Sequence, residues 1–200
     1  MDSGIQNREE EILYYQWLYA HVPGAAAYRS LKVEKKTKKS LDRGLPFNGK
    51  FPENARFEMN PDHSNDVKLI DNPYNMNYSI LASKKLCDFL SRQKLPDMEF
   101  LKVHTLDHRG KNTREQYWIV HPTRVVDCID QDKSEFDWNA LNPEVIAPMY
   151  NMVLDPTKLS SEDLIIRPRF MEHMILVEEK MSELIEAEGF GGVHFDEPNG

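Results

Sequence analysis

Cysteine is scarce in this sequence: only Cys87 and Cys128 occur. A framework of several disulfides is therefore excluded, and two isolated thiols without an export signal are expected to stay reduced. Long apolar runs are missing too, so no segment qualifies as a membrane-spanning helix. The opening "MDSGIQNREEEI" has no basic stretch followed by an apolar one, so no secretory signal is read there. Positive charge is in deficit, with 25 Lys and Arg against 33 Asp and Glu, a net charge of −8. That balance argues against general nucleic-acid binding, which needs a basic face, and suits a basic protein partner. Glycine (9) is rarer than proline (12), which points to stiff, irregular connections. These absences lead to the expectation of a cytoplasmic protein, with no membrane or nucleic-acid partner.

Hydrophobic residues make up 40% of the 200 positions and charged residues 29%, so the chain can bury a core without staples. The mean hydropathy of −0.62 requires a strongly polar surface. Residues 8 to 20, "REEEILYYQWLYA", place Ile12, Leu13, Tyr14, Trp17 and Leu18 at three- and four-residue spacing after a run of Glu. This spacing predicts an N-terminal helix that "VPG" at 22 to 24 ends. Residues 30 to 44 carry Lys32, Lys35, Lys36, Lys38, Lys39 and Arg43 without interleaved aromatics, and read as a solvated, mobile segment. Residues 45 to 66, with three prolines, read as loop, and "DVKLI" (66 to 70) as a short strand.

The most informative pattern is an echo at a constant offset of 95 residues. "ILASKKLCDFLSRQKLPDMEF" (80 to 100) aligns without a gap on "ILVEEKMSELIEAEGFGGVHF" (175 to 195). In both, an apolar stripe at i, i+3, i+4 (Leu86, Phe89, Leu90 and Met181, Leu184, Ile185) marks an amphipathic helix between two strands. Ser83 suits the first helix as its cap, and Glu178 and Glu179 suit the start of the second. Pro96 and Gly189 mark the ends. Whether the echo reflects duplication or two common units of one kind, the structural expectation is the same. Strands are also expected at 99 to 106, 116 to 121, 123 to 130 and 150 to 155, with "RGKN" (109 to 112) as a hairpin connection. Ser160 and Asp163 would brace a short helical turn. The expected fold is α+β: a mostly antiparallel sheet, two similar strand–helix–strand units and an extra N-terminal helix. The boundary falls at residue 43, with an extension over 1 to 43 and a domain over 44 to 200.

The stretch "HPTRVVDCIDQDKSEF" (121 to 136) holds the residue types that chemistry favours. Asp130, Asp132 and Ser134 match the first three ligand positions of a calcium loop. Glu135 and Leu141 then stand where that loop needs Gly and Glu, so the match fails. Cys128 as a nucleophile would need a base and a depressed pKa. Cys128 with His121 and Asp127 forms the enzyme alternative, against a buried strand cysteine beside carboxylates that shape a turn. His104 and His108 are a poor zinc clamp at a strand end, and His173 and His194 fall at strand edges. "GFGGVHF" (189 to 195) runs from helix into strand, the reverse of a phosphate loop. No metal or cofactor is expected.

Taken in order, "GLPFNGKFPENARFEM", "ILASKKLCDFLSRQ", "MEFLKVHTLDHRGKNTREQYWIVHPTRVVDCIDQDKSEF", "MVLDPTKL" and "ILVEEKMSELIEAEGFGGVHFDEP" resemble a bacterial immunity-protein family of polymorphic toxin systems, formerly a domain of unknown function. Its markers are V-D-C-[IL]-D-x-x-x-S, here Val126 to Ser134, and G-[FL]-x-G-[VI]-x-F, here Gly189 to Phe195. The resemblance covers roughly residues 44 to 198; the predicted helix at 8 to 20 and the Lys-rich segment look like a subtype extension. It implies binding and neutralisation of a cognate toxin, with no catalytic residues to carry over. Exposed acids and aromatics are then the expected contacts: Asp130, Asp132, Glu135, Phe136, Asp137 and Trp138, with Glu183, Glu186 and Glu188. A self-associating regulatory module, such as a homodimer, is a further alternative.

Overall fold

The computed structural model describes residues 13–198. In chain order the elements are β1 (Tyr14–Tyr19), α1 (Lys35–Asp42), β2 (Arg56–Glu58), β3 (Leu81–Ser83), α2 (Lys84–Arg92), β4 (Met98–Leu106), β5 (Tyr117–Pro122), β6 (Val125–Val126), β7 (Glu135–Trp138), β8 (Ile146–Asn151), β9 (Ile165–Pro168), β10 (Leu176–Glu178), α3 (Glu179–Ala187) and β11 (Val193–Asp196). They form an α+β fold with sheets ordered β11-β1-β10-β9-β6, β2-β4-β5-β3 and β7-β8. The pairings of β2 with β4 and of β6 with β9 are parallel, and the other strand pairings are antiparallel.

The two echoing segments fold alike, position for position. β3, α2 and the start of β4 map onto β10, α3 and the start of β11 at the offset of 95. Ser83 Oγ accepts from the Leu86 N–H at 3.3 Å, and Glu178 Oε2 accepts from the equivalent Met181 N–H at 3.1 Å. Each side chain thus satisfies a donor that the first turn of a helix leaves free. After the helices, Lys94 (φ 52°) matches Gly189 (φ 65°), and Asp97 (φ 53°) matches Gly192 (φ 88°). The left-handed residue that ends a helix and the one that re-enters the sheet therefore recur at matching positions. In each unit the flanking strands are parallel to one another, with a third strand antiparallel between them. That middle strand is β5 in the first unit and β1 in the second. Tyr117 faces Ser83 as Tyr14 faces Glu178, and Val120 faces Phe100 as Trp17 faces Phe195, an offset of 103 throughout.

Residues 14–19 are thus a strand, which corrects the helix expected over 8 to 20; residues 8 to 12 lie outside the described residues. The helical spacing of its apolar positions is outweighed by pairing on both edges, which satisfies its backbone groups and buries its aromatics alternately. Tyr15, Trp17 and Tyr19 turn to the core shared with α2 and α3, and Tyr14 turns to the opposite core. The Lys-rich stretch also differs from expectation. Its residues 35–42 form α1, which is anchored by buried Leu41 and closed by Gly44 at φ 63°. Residues 66 to 70 give only a bridge from Lys68 to Ala25, and the strand expected over 150 to 155 lies at 146 to 151. Of 123 to 130, only Val125 and Val126 are strand.

Three cores result. The central one takes Leu86, Phe89 and Leu90 of α2, Met181 and Ile185 of α3, and Trp17, Val120 and Phe195 from the sheets. Each fully buried leucine there contributes about 2 kcal/mol of hydrophobic stabilisation. The far face of β4–β5 is covered by residues 26 to 59, including Tyr28, Leu31 and Phe57. The far face of β9–β10 is covered by residues 126 to 174. The C-terminal glycine motif ties the second unit to residues 71 and 72, and Asp71 in turn accepts from Ser83 of the first unit. Gly191 N–H donates to Asp71 Oδ2 at 3.0 Å, and Asn72 N–H donates to Gly191 O at 2.9 Å. Buried Asn72 also accepts from Trp17 Nε1 at 2.9 Å. A Cβ on Gly192 would stand 2.3 Å from Asn72 O, whereas one on Gly189 meets nothing within 4 Å.

Gly192→Ala is accordingly expected to lower the urea-unfolding free energy by about 3 kcal/mol or more, through clash and backbone strain together. Gly189→Ala, which adds only the left-handed strain, is expected to cost about 1 kcal/mol. Equal losses in the two variants would show that the contact with Asn72 is not tight.

Candidate partner-binding surface

The stretch 121–136 leaves β5 and turns a corner. Val126, Cys128 and Ile129 point into the second core, while Asp127 is exposed. Ile129 bridges to Leu154, and the backbone is held by Asp130 N–H to Val153 O and Asp155 N–H to Cys128 O. Asp130 Oδ1 accepts from the Asp132 and Lys133 N–H groups, and its Oδ2 pairs with Lys133 Nζ at 2.7 Å. The Lys133 ammonium holds the Asp130 carboxyl below the usual range. Ser134 Oγ both donates to Val153 O and accepts from Val153 N–H. The V-D-C-I-D-x-x-x-S residues therefore finish a β element and brace the turn into β7 through local side-chain–backbone bonds. Among the described residues no group of three or more His, Cys, Asp or Glu could hold a metal ion.

The enzyme alternative does not assemble. Cys128 is 0% exposed, and burial pushes its thiol up to about 12. Asp127 stands in solvent on the other side of the chain. His121, also fully buried, places Nε2 3.0 Å from Leu45 O and Nδ1 3.3 Å from Arg167 Nη2. A ring that donates from Nε2 to the carbonyl and accepts at Nδ1 from a guanidinium is a neutral imidazole. Burial pulls its pKa down to about 4; the Leu45 carbonyl opposes the shift, Arg167 adds to it, and Glu99 opposes it weakly.

Past the corner, β7 and β8 make a hairpin whose register shifts on either side of Phe136. Trp138 packs edge-on against both Phe136 and Phe170, with centroids 5.3 Å away in each case. Phe170 itself sits at φ 72°, a conformation that costs a bulky residue of order 1–3 kcal/mol. Tyr150 donates to Asp137 Oδ2 at 2.9 Å. The connecting loop is stiffened by Asn139 Oδ1, which accepts from the Leu141 and Asn142 N–H groups. Even so, Leu141 is 96% exposed, Tyr150 60% and Trp138 42%. Residues 125 to 151 hold six carboxylates (Asp127, Asp130, Asp132, Glu135, Asp137, Glu144) and one cation, Lys133, a balance of −5 within the chain's −8.

Of the residues singled out in the sequence, Glu135, Phe136, Asp137 and Trp138 share this hairpin, and Asp130 and Asp132 lie on the turn that leads to it. Glu183 and Glu186 are exposed on α3 and Glu188 just past its end; α3 packs on β1, β10 and β11 and belongs to the central core. The structure does not join them to the hairpin. Leu141, Tyr150 and Phe170 were missed. An apolar residue inside the polar run "NALNPE" was the signal for Leu141; Phe170 reaches Trp138 only through the tertiary fold.

Two outcomes follow from the buried groups. With its pKa near 12, Cys128 is almost wholly protonated at pH 8. It should resist a thiol reagent in the folded protein and react on unfolding; rapid stoichiometric labelling of the native chain would contradict this. The folded pKa of His121 lies below its unfolded value of about 6.5, so the unfolded state takes up the proton first. Its contribution is complete above pH 6.5 and is lost as the pH falls towards 4, by up to about 3 kcal/mol. Wild type should lose that much more stability than His121→Gln between pH 7 and pH 4. Parallel losses in the two proteins would disprove the assignment.

No curated protein matches the chain. Residues 15–199 match the model of the immunity protein family Imm11. The match takes in β1 and α1, which the motifs read from the sequence left outside. It runs through the corner and hairpin to the glycine motif. On that evidence the chain belongs to the Imm11 immunity protein family.

Proposed function

We propose that this chain neutralises a cognate bacterial toxin by forming a stoichiometric complex with it, without catalysis, and that the β7–β8 hairpin with its preceding turn is the face that engages the toxin. The observation that carries this reading is the coincidence of a −5 charge balance with Trp138, Leu141 and Tyr150 on a stiffened hairpin. Exposed aromatics held in place by neighbours give contact area at low entropic cost, and surrounding carboxylates speed encounter with a basic surface. Family membership supports immunity as the role. The free, buried cysteines suit work in the reducing cytoplasm. The partner is accordingly a toxin domain with a basic face.

The test uses the toxin encoded beside this gene, captured by the full chain. Glu135→Lys with Glu144→Lys is expected to slow association about tenfold at low salt, an effect that high salt removes. Trp138→Ala is expected to speed dissociation and cost about 2 kcal/mol or more of binding free energy. A toxin complex untouched by all these changes would place the interface elsewhere. Failure of the wild-type chain to capture the toxin would reject the immunity reading itself.

A further inference from the structure

A cleft of about 310 Å³ opens along the seam between the two repeated units. Its lining pairs matching positions of the two copies: Ile80 with Ile175, Leu18 with His121, and Tyr78 with His173. The matching positions differ in chemistry. The side with β1 and the 77–79 loop offers Leu18, Tyr19 and Tyr78, whereas the side with β5 and β9 offers His121, His173 and Arg167. The repeat therefore builds a slot with Leu18, Tyr19 and Tyr78 among polar Gln16, Asn77 and Ser79 on one side, and the nitrogens of His121, His173 and Arg167 beside Ile119 and Met174 on the other.

Arg167 is 5% exposed. Its Nε donates to Pro122 O at 2.7 Å, Nη1 to Glu172 O, and Nη2 to His121 Nδ1. These use three of its five N–H groups. Among the described residues it has no carboxylate within ion-pair distance. A buried guanidinium usually meets a carboxylate or a ligand anion, because an uncompensated buried charge is costly. Asp42, on the cleft's rim, and Glu172 both act on Arg167 electrostatically, neither within ion-pair distance. The nearby negative charge repels a doubly charged ligand about twice as strongly as a singly charged one at the same distance. Tyr78 reinforces the impression of a prepared wall. It holds φ 54° while 68% exposed, and its ring packs against Tyr74 and Tyr19. Buried Asn75 braces that loop, accepting from the Asn77 and Ser79 N–H groups and donating to Ser79 O.

We infer that this cleft is a binding site for a small monocarboxylate with a flat apolar body, its carboxylate on Arg167 and its body against Leu18 and Tyr78. The site is separate from the β7–β8 hairpin and does not depend on the toxin-binding reading. Three arrangements support the chemistry. Planar guanidinium matches planar carboxylate. The volume falls at the low end for small-ligand pockets. Asp42 selects against phosphate.

The test is calorimetric titration of the full chain with sodium benzoate and, separately, with inorganic phosphate at pH 7. Benzoate is expected to bind saturably at one site with a Kd of about 1 mM or tighter, and phosphate at least about tenfold more weakly. Asp42→Asn, at an exposed position, should tighten benzoate several-fold and narrow the gap to phosphate. Arg167→Lys, checked for folding by circular dichroism, should weaken benzoate about tenfold or more. If Arg167→Lys fails to fold, Asp42→Asn decides alone. Absence of saturable benzoate binding up to about 20 mM in wild type and Asp42→Asn overturns the proposal. So does benzoate binding that Asp42→Asn leaves unchanged, or phosphate bound as tightly as benzoate by wild type.

Discussion

A helix that joins two parallel strands with a gap between them leaves two rows of backbone donors and acceptors facing an empty lane. Everything else in this molecule depends on filling that lane twice. The first unit fills it with the strand that follows directly, β5, whereas the second draws β1 from the far end of the chain. Tyr14 therefore lies opposite Glu178, and Trp17 opposite Phe195. The N- and C-terminal segments must meet before the second sheet has a centre, a long closure that slows folding but ties the chain into one body. Trp17 then reports on both halves, since its ring sits in the shared core while its Nε1–H reaches Asn72 beside the first unit.

Two copies of one plan with different middle strands give one scaffold and several unlike surfaces. Where the copies face one another, matching positions carry Leu18 and His121, or Tyr78 and His173. The outer faces diverge as well. One is sealed by α1 and residues 26 to 59, the other by the segment that carries the acidic corner and hairpin. Residues that look reactive in the sequence are spent on structure. Asp130 and Ser134 satisfy backbone groups at the corner, Cys128 fills the core, and His121 bridges a carbonyl and a guanidinium.

Much of this is legible in the sequence. The echo at 95 residues located both strand–helix–strand units, because an amphipathic stripe and a capping residue are local signals. The helical ends were legible through Gly189 and less directly through Pro96; the left-handed residues are in fact Lys94, Asp97, Gly189 and Gly192. β1 was not legible as a strand, since its apolar positions fit a helical period and what decides otherwise is pairing with residues near the other terminus. The Lys-rich helix was hidden for a similar reason: its one buried anchor, Leu41, matters only once the first sheet is in place. At the candidate surface, Phe136 and Trp138 stood out as aromatics in a polar corner. Phe170 reaches them only through tertiary packing, and Glu183, Glu186 and Glu188, on and just past α3, belong to another part of the molecule.

On the proposed function the protein acts by occupying its toxin, with no reaction. The test is titration of a fixed amount of active cognate toxin with the purified chain. Residual toxin activity should fall in a straight line to zero at one equivalent, and the toxin recovered from the complex should keep its mass and regain activity. Inactivation of excess toxin by a small fraction of an equivalent, or a changed mass in the recovered toxin, would contradict the account.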